Sequence, residues 1–340
     1  MNKKGSDSDS PKVPSKSSAD KMIPLVSVST VYFNEARYVD LIAQSLSGQS
    51  HKNLEFLFID NGSTDGAFKR LKELFPVAKF IELDENIGFA RAHNLGIENS
   101  QGKYILTLNM DILLERDYIS ELVKGMESSD AIGSATGKIY QLIDLRKTDN
   151  IDNMGHHLYR YRCVEGVDYT KPWEWEGYSR KRFVFGATGC AALYRREMLE
   201  DIKIGDDYFD GDYFIFFEDV DLDWRAQLAG WKCLYVPDAV AHHERGGSGQ
   251  TRKSHIAALF LTNRFLTIIK NDQVTHFLAD IFEISKRTVE ELHGAFSQDP
   301  MIVVLALKRF LAKLPAALRK RRYIQSRMRV SASYIRSMFI

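Results

Sequence analysis

Apolar strands and amphipathic helices take turns along residues 25–108, and no other feature of the chain restricts its fold as much. Residues 25–33 read as a buried strand, and Asn34-Glu35 then opens a helix in which Val39, Ile42 and Leu46 recur at helical spacing. Residues 54–59 form a second apolar strand that ends in the polar turn Asp60-Asn61-Gly62-Ser63-Thr64-Asp65-Gly66, and a helix over 68–75 follows, closed by Pro76. A third strand (79–83), a third helix (88–98) and a fourth strand (104–108) complete the series, the last stopping at Asn109-Met110-Asp111. This alternation predicts an α/β fold with a parallel sheet covered by helices on both faces. Ligands of such sheets bind beyond the carboxyl ends of the strands, where Asp60 and Asp111 fall.

Downstream, an irregular aromatic-rich stretch (155–182) is followed by a strand-like run over 183–194, a helix over 219–229 ended by Gly230, and a strand over 231–236. From residue 255 the pattern is helical, over 256–270, 277–292 and 301–314. The expected organisation is a flexible leader (1–22), a catalytic domain (23–250) and a helical, basic extension (251–340). The leader is rich in Ser, Lys, Asp and Pro and lacks the apolar core of a secretory signal. No run approaches the roughly 18 apolar residues of a membrane span. The expected location is therefore cytoplasmic, with a peripheral contact on the inner face of the membrane. Apolar residues make up 44% and charged residues 27%, which excludes a disordered, fibrous or polytopic membrane chain. Cys163, Cys190 and Cys233 are far apart and form no metal-ligand spacing.

Several side chains bear chemistry. Asp60 at a strand tip can accept from a base imide or a ribose hydroxyl, or it can simply close an Asx-turn. Asn109 and Asp111 offer adjacent hard oxygen ligands for Mg²⁺ or Mn²⁺, although a strand-end Asp also caps a following helix. His242-His243 follows a later strand, where an imidazole can add a ligand or contact a diphosphate, or can be plain loop surface. The segment from Glu218 to Asp223 carries the carboxylates Glu218, Asp219, Asp221 and Asp223 directly after an apolar run. Mutual repulsion raises carboxylate pKa values, which suits a general base, while acidic residues also favour a helix N-terminus through its dipole. No GxGxxG follows the first strand, which sets aside a dinucleotide-dependent oxidoreductase.

The order of these motifs is more telling than any one of them. The Asp60–Gly66 turn, then Asn86-Ile87-Gly88-Phe89-Ala90-Arg91-Ala92-His93-Asn94-Leu95-Gly96, then Leu108-Asn109-Met110-Asp111 resemble the nucleotide-binding half of glycosyltransferase family 2. The run GATGCAALYRR over 186–196, FFEDVD over 216–221 with Arg225 and Gly230-Trp231, and His242 followed by Gly246-Gly247-Ser248 resemble its acceptor half. The nearest likeness is to the family's bacterial rhamnosyltransferase branch. The resemblance implies a GT-A-type fold, a nucleoside-diphosphate sugar donor, with dTDP-L-rhamnose the first choice, and inversion at the anomeric carbon. It implies that Thr30, Tyr32, Glu35 and Asp60 cradle the nucleoside, and that Asn86, Gly88 and Asn94 shape the ribose and phosphate side. Asp111 and His242 would hold a divalent cation (Mg²⁺ or Mn²⁺), and Asp219 would be the base. Where the family often has Asp-x-Asp this chain has Asn109, which keeps a carbonyl ligand and loses a charge.

No Asp or Glu occurs after Asp299, whereas Lys308, Arg309, Lys313, Arg319, Lys320, Arg321, Arg322, Arg327, Arg329 and Arg336 all do. Residues 301–314 combine this charge with an apolar face, as an interfacial helix would beside a glycan or lipid-diphosphate-linked acceptor. The alternative is a helical hairpin packed on the catalytic domain or on a second subunit. No recognition motif accompanies the basic block, so nucleic acid is not an expected partner. Trp173, Trp175 and Tyr178 are candidates to stack on acceptor sugars. Competing functions are a same-family transferase using a hexose, galactofuranose or N-acetylhexosamine donor, and a non-catalytic subunit of a polysaccharide assembly complex.

Overall fold

A computed structural model describes residues 22–165, 176–245 and 253–340. Trp173, Trp175, the Gly246–Ser248 motif and nearly all of the expected leader lie outside the described residues. The chain runs β1 (Val26–Tyr32), α1 (Val39–Ser47), β2 (Leu54–Asn61), α2 (Phe68–Leu74), β3 (Lys79–Leu83), α3 (Phe89–Glu98), β4 (Tyr104–Asn109), β5 (Ile112–Leu114) and α4 (Tyr118–Met126). It continues with β6 (Ile132–Ile143), β7 (Arg146–Asn153), β8 (His157–Leu158), β9 (Val164–Glu165), β10 (Arg182–Val184), β11 (Ala191–Arg195), α5 (Arg196–Ile202), α6 (Glu218–Leu228) and β12 (Lys232–His243). Helices α7 (Lys253–Asn271), α8 (Val274–Ala279), α9 (Ile281–Gln298), α10 (Pro300–Ser326) and α11 (Ala332–Ser337) close it.

The early β-α rhythm builds the parallel half of one sheet, in the order β3-β2-β1-β4. Beyond β4 the sheet is mixed, because β11 inserts antiparallel between β4 and β6 and β12 then runs parallel to β6. Adjacent residues of a strand face opposite sides. In β4, Leu106 accordingly packs with Ile42 and Leu122 on one face, while Ile105 packs with Ile97, Tyr194 and Trp224 on the other. The strand-like run over 183–194 divides into β10 and β11, and the loop between them brings backbone N–H groups toward α6.

The last five helices pack on the sheet domain. Ala258 and Leu261 of α7 meet Ile302 and Ala306 of α10. Ion pairs, several of them buried, tie both helices to α6 and to the loop before it. Lys270 Nζ lies 2.8 Å from Asp221 Oδ1 and also contacts Asp210, and Lys320 Nζ lies 2.5 Å from Asp210 and 2.6 Å from Asp212. Helix α10 continues through Pro315, where a break was expected. A proline inside a helix costs about 3 kcal/mol, and buried anchors on both sides, Ile302 and Ala306 before it and Ala317 and Ile324 after it, offset that cost.

Candidate active site

A cleft of about 610 Å³ opens at the carboxyl ends of β1, β2 and β4. Strand alternation decides which residues of β1 and its following turn reach it. Val31, Phe33 and Glu35 line the cleft, whereas Thr30 and Tyr32 are fully buried on the other parity. The Tyr32 hydroxyl donates to Asp65 Oδ2 at 2.5 Å. Glu35 is 8% exposed, and burial, reinforced by the charge of Asp111, pushes its carboxyl up to about 8. At neutral pH it is an acid able to donate a hydrogen bond.

Asp60 does not line the cleft. Its Oδ1 accepts the Ser63 N–H at 2.9 Å and closes the turn, and its neighbour Asn61 reaches the cleft instead. Asn61 Nδ2 donates to Asn86 Oδ1 at 3.0 Å, and Asn86 Oδ1 accepts the Gly88 N–H at 2.9 Å. Gly88 has φ +86°, and a Cβ there would sit 2.5 Å from the Phe214 carbonyl oxygen, so only glycine allows the loop before α6 to come this close. Asn94 faces inward, where it fixes Phe209 by a bond in each direction, at 2.7 and 2.8 Å.

Asn109 and Asp111 both line the cleft. The Asp111 side chain is 8% exposed, and its Oδ1 makes no hydrogen bond within the described residues. The imidazole nearest to it belongs to His243, with Nε2 at 3.5 Å, and not to His242. The expectation for His242 fails because the pair lies within β12 rather than on a loop, so consecutive side chains point to opposite faces. His242 stacks on Tyr140 and its Nε2 lies 3.0 Å from Glu115. For His243, burial would lower the pKa, but the Asp111 and Asp152 carboxylates outweigh it and push it up to about 9.

Asp219 opens the first turn of α6. Its Oδ2 accepts the Gly189 N–H at 3.0 Å, and its side chain is 17% exposed. A Cβ on Gly189 would lie 3.3 Å from Asp219 and 3.4 Å from the Phe89 ring, and Phe89 lines the cleft. Asp219 thus stands one residue behind the cleft wall. Asp219 and Asp111 both bear on the buried Cys190 thiol, which burial first, and these charges in addition, raise to about 12. Within the acidic cluster, Glu218 is raised well above the ordinary carboxyl range by burial and by the charges of Asp219 and Asp221.

Phe216 and Phe217, just before α6, have φ +70° and +69°. A left-handed backbone costs a bulky residue about 1–3 kcal/mol and persists only where the surroundings impose it. Asn263 of α7 imposes it, donating from Nδ2 to the Ile215 and Phe216 carbonyls, each at 2.9 Å. Ile256, Ala257 and Phe260 of α7 and Gln298 of α9 form a wall of the same cleft. The sequence reading missed this contribution, because α7 carries no motif and lies beyond the expected domain boundary.

A mixed sheet whose parallel half presents a nucleotide-sized cleft beside a strand-end Asn-x-Asp is the GT-A architecture. The sequence profile of glycosyl transferase family 2 matches residues 27–203, more than half of the chain, and the chain belongs to that family. It is 26% identical over 275 residues to an N-acetylglucosaminyl-diphospho-decaprenol L-rhamnosyltransferase of Mycobacterium tuberculosis, covering 72% of this chain and 86% of that protein. An uncharacterized glycosyltransferase of Haemophilus influenzae is 32% identical over 123 residues, and the match spans 35% of this chain and 38% of that relative's length. Two solved structures share the fold. GalNAc-T7 with UDP, GalNAc and Mn²⁺ has a TM-score of 0.57 at 16% identity, covering 74% of this chain and 48% of that one. The mannosyltransferase PcManGT of Pyrobaculum calidifontis, in complex with GDP-Man and Mn²⁺, has a TM-score of 0.53 at 19% identity, covering 90% and 86%.

Proposed function

We propose that the chain is an inverting glycosyltransferase that moves L-rhamnose from dTDP-L-rhamnose to a hydroxyl of a polysaccharide or lipid-diphosphate-linked oligosaccharide. The observation that carries this reading is the single cleft in which Glu35, Asn86, Asn109 and Asp111 meet, with Asp219 directly behind Gly189 and Phe89. The name of the mycobacterial relative supports the donor and the class of acceptor. Asn86 and Gly88 border the space for the ribose and phosphates, and neutral Glu35 donates to the nucleoside.

The residues present fit a divalent cation. Asp111 offers a buried oxygen that makes no hydrogen bond among the described residues, its nearest donor being His243 Nε2 at 3.5 Å, and Asn109 lines the same cleft with a side-chain carbonyl. No group of three or more His, Cys, Asp or Glu ligands gathers among the described residues, so a Mg²⁺ or Mn²⁺ ion here would take its remaining ligands from the substrate phosphates. Both structural neighbours were solved with Mn²⁺. When bound, the cation neutralises the departing diphosphate. His243, once it sheds its proton, is the imidazole placed to join Asp111. Asp219 takes the proton of the acceptor hydroxyl as that oxygen attacks the anomeric carbon.

A screen of sugar nucleotides with Mg²⁺ or Mn²⁺, with and without membrane lipid extract, tests the assignment through nucleoside diphosphate release. Release from dTDP-L-rhamnose that needs the extract and stops with a chelator is expected. Release only from a hexose, galactofuranose or N-acetylhexosamine donor replaces the donor, and no release from any of them makes the chain a binding subunit.

The proposed membrane contact rests on α10. Most cations of the C-terminal segment are already engaged within the molecule: Arg309 binds the Asp212 carbonyl, Lys313 and Lys320 pair with Asp212, Arg321 binds the Ile269 and Asp272 carbonyls, and beyond α10 Arg327 and Arg329 reach Asp201 and Arg336 reaches Asp280. Lys308, Arg319 and Arg322 make no ion pair among the described residues. They flank an exposed stripe of Met301, Val304, Leu307, Leu311 and Leu318. No helix among the described residues is long and apolar enough to cross a membrane. An apolar line edged by free cations suits the surface of an anionic bilayer, each cation contributing about 1 kcal/mol. Leu307→Glu/Leu311→Glu changes two residues that are 57% and 58% exposed, and so leaves the fold intact. The double variant is expected to lose co-sedimentation with phosphatidylglycerol vesicles while keeping its melting temperature. Undiminished sedimentation removes the membrane role, and loss of a dimer on gel filtration assigns the stripe to a second copy.

A further inference from the structure

Asp219 and Asp223 lie four residues apart on α6 and therefore share one face of the helix. The side chain between them is His156, a residue that no motif singles out. Its Nδ1 lies 2.8 Å from Asp223 Oδ2 and its Nε2 lies 3.5 Å from Asp219 Oδ2. The placement is built from several directions. The His156 N–H donates to the Gly186 carbonyl at 2.7 Å, and the His156 carbonyl accepts from Phe185 at 3.1 Å. The same loop between β10 and β11 donates the Ala187 N–H to Asp223 Oδ1 at 3.2 Å and the Gly189 N–H to Asp219 Oδ2 at 3.0 Å. A Cβ on Gly186 would fall 1.7 Å from Asp223 Oδ2, so the loop reaches the carboxylate only through glycine. His156 is 5% and Asp223 1% exposed.

We propose that His156 is a positioning residue for Asp219: its ring, anchored by Asp223, holds the Asp219 carboxylate in place and aims it at the acceptor hydroxyl. The inference rests on the reading of Asp219 as the base. During transfer the acceptor O–H proton moves to Asp219, the acceptor oxygen bonds to the anomeric carbon, and the anomeric C–O bond breaks with its electron pair leaving on the nucleoside diphosphate. His156 keeps its proton throughout. Afterwards the cationic ring beside the newly neutral Asp219 favours loss of that proton through its partly exposed side chain, which resets the base.

The charged groups that face the ring are Asp219 and Asp223, both from α6. Burial would lower the imidazole pKa, but these two carboxylates outweigh it and raise it above the ordinary value. Asp223 is pushed up to about 6 by burial, against the opposing pull of His156. The array accordingly favours the cationic ring, and Asp219, the outermost member, is the one that solvent and acceptor can reach.

The test combines a readout that needs no substrate with one that does. In the full chain labelled with ¹⁵N-histidine, the His156 signals are assigned by their absence in His156→Gln. They are expected to titrate above the free-histidine value of about 6.5, and to move down by about a unit or more in Asp223→Asn and in Asp219→Asn. A wild-type ring that titrates at or below the free value overturns the inference without any variant having to fold. In turnover with dTDP-L-rhamnose and membrane lipid extract, His156→Gln is expected to lower kcat about tenfold, leave the donor KM within about twofold, and move the acidic limb of the pH profile upward by about a unit. Asp223→Asn is expected to move the same limb, with no further movement in the double variant. An unmoved limb in His156→Gln, beside an inactive Asp219→Asn, overturns this inference alone. Turnover retained by Asp219→Asn overturns the base assignment itself.

Discussion

Asp219→Asn is expected to reduce turnover by about 10²–10⁴ while dTDP binds as tightly as to the parent chain. The substitution keeps the shape of the side chain and an oxygen for the Gly189 N–H, so the local structure survives. What it removes is the capacity to take a proton. Asp219 does not line the cleft occupied by the proposed nucleotide, so ground-state binding has no reason to change. Nucleoside diphosphate release at saturating donor, set beside calorimetric titration with dTDP, separates the two effects. Activity within about tenfold of the parent removes Asp219 as the base, and a matching loss of dTDP affinity makes it part of the binding wall. Glu218 is a poor substitute for it, because it is 5% exposed, and burial and the charges of Asp219 and Asp221 raise its carboxyl well above the ordinary range.

Lys270→Met is expected to destabilise the fold by about 3 kcal/mol, the lower end for a broken buried pair, since Asp221 keeps Arg225 and Asn271 and Asp210 keeps Lys320. Lys270 is 1% exposed, lies 2.8 Å from Asp221, and stacks its ammonium 4.6 Å from the Tyr213 ring centre. Burial would raise the Asp210 carboxyl, but Lys270 and Lys320 outweigh it and hold it well below the usual range. A depressed folded-state pKa contributes stability above the unfolded value of about 4, and that contribution is lost as the pH falls below it. The gap between parent and variant in denaturant midpoint is therefore expected to hold from neutral pH down to about pH 4 and to narrow below it. A gap that stays constant well below about pH 4 would assign the loss to packing and not to charge.

The early β-α units were legible because each depends on local signals. Residues 79–83 read as a strand and fold as one with the same bounds, and the polar turn at Asp60 marks a strand tip in both. The strand-end Asn109-Met110-Asp111 likewise lies in the cleft where the pattern of carboxyl ends put it. Where the reading went astray, the deciding contact was distant in sequence. His242 and His243 are indistinguishable in a string of letters, and which of them faces Asp111 depends on how far β12 extends past a register shift between Val236 and Val240. Thr30 and Tyr32 lost the cleft to Val31 and Phe33 by a single step of strand parity. His156 gave no signal, because its partners lie about 65 residues onward and meet it only once the loop between β10 and β11 is in place. The cationic end read as one surface feature, yet half of its charges pair with acidic side chains of the same molecule and two more bind backbone carbonyls.

The left-handed pair Phe216–Phe217 has a consequence for the timing of synthesis. A ribosome delivers these residues long before it delivers Asn263, the side chain whose amide holds their carbonyls, and longer still before Lys320 reaches Asp210. A nascent chain can thus complete its sheet half with the turn leading into Asp219 still free to relax. Chains cut short before Asn263 are therefore expected to lack the hold on this turn and to release no nucleoside diphosphate from a sugar nucleotide.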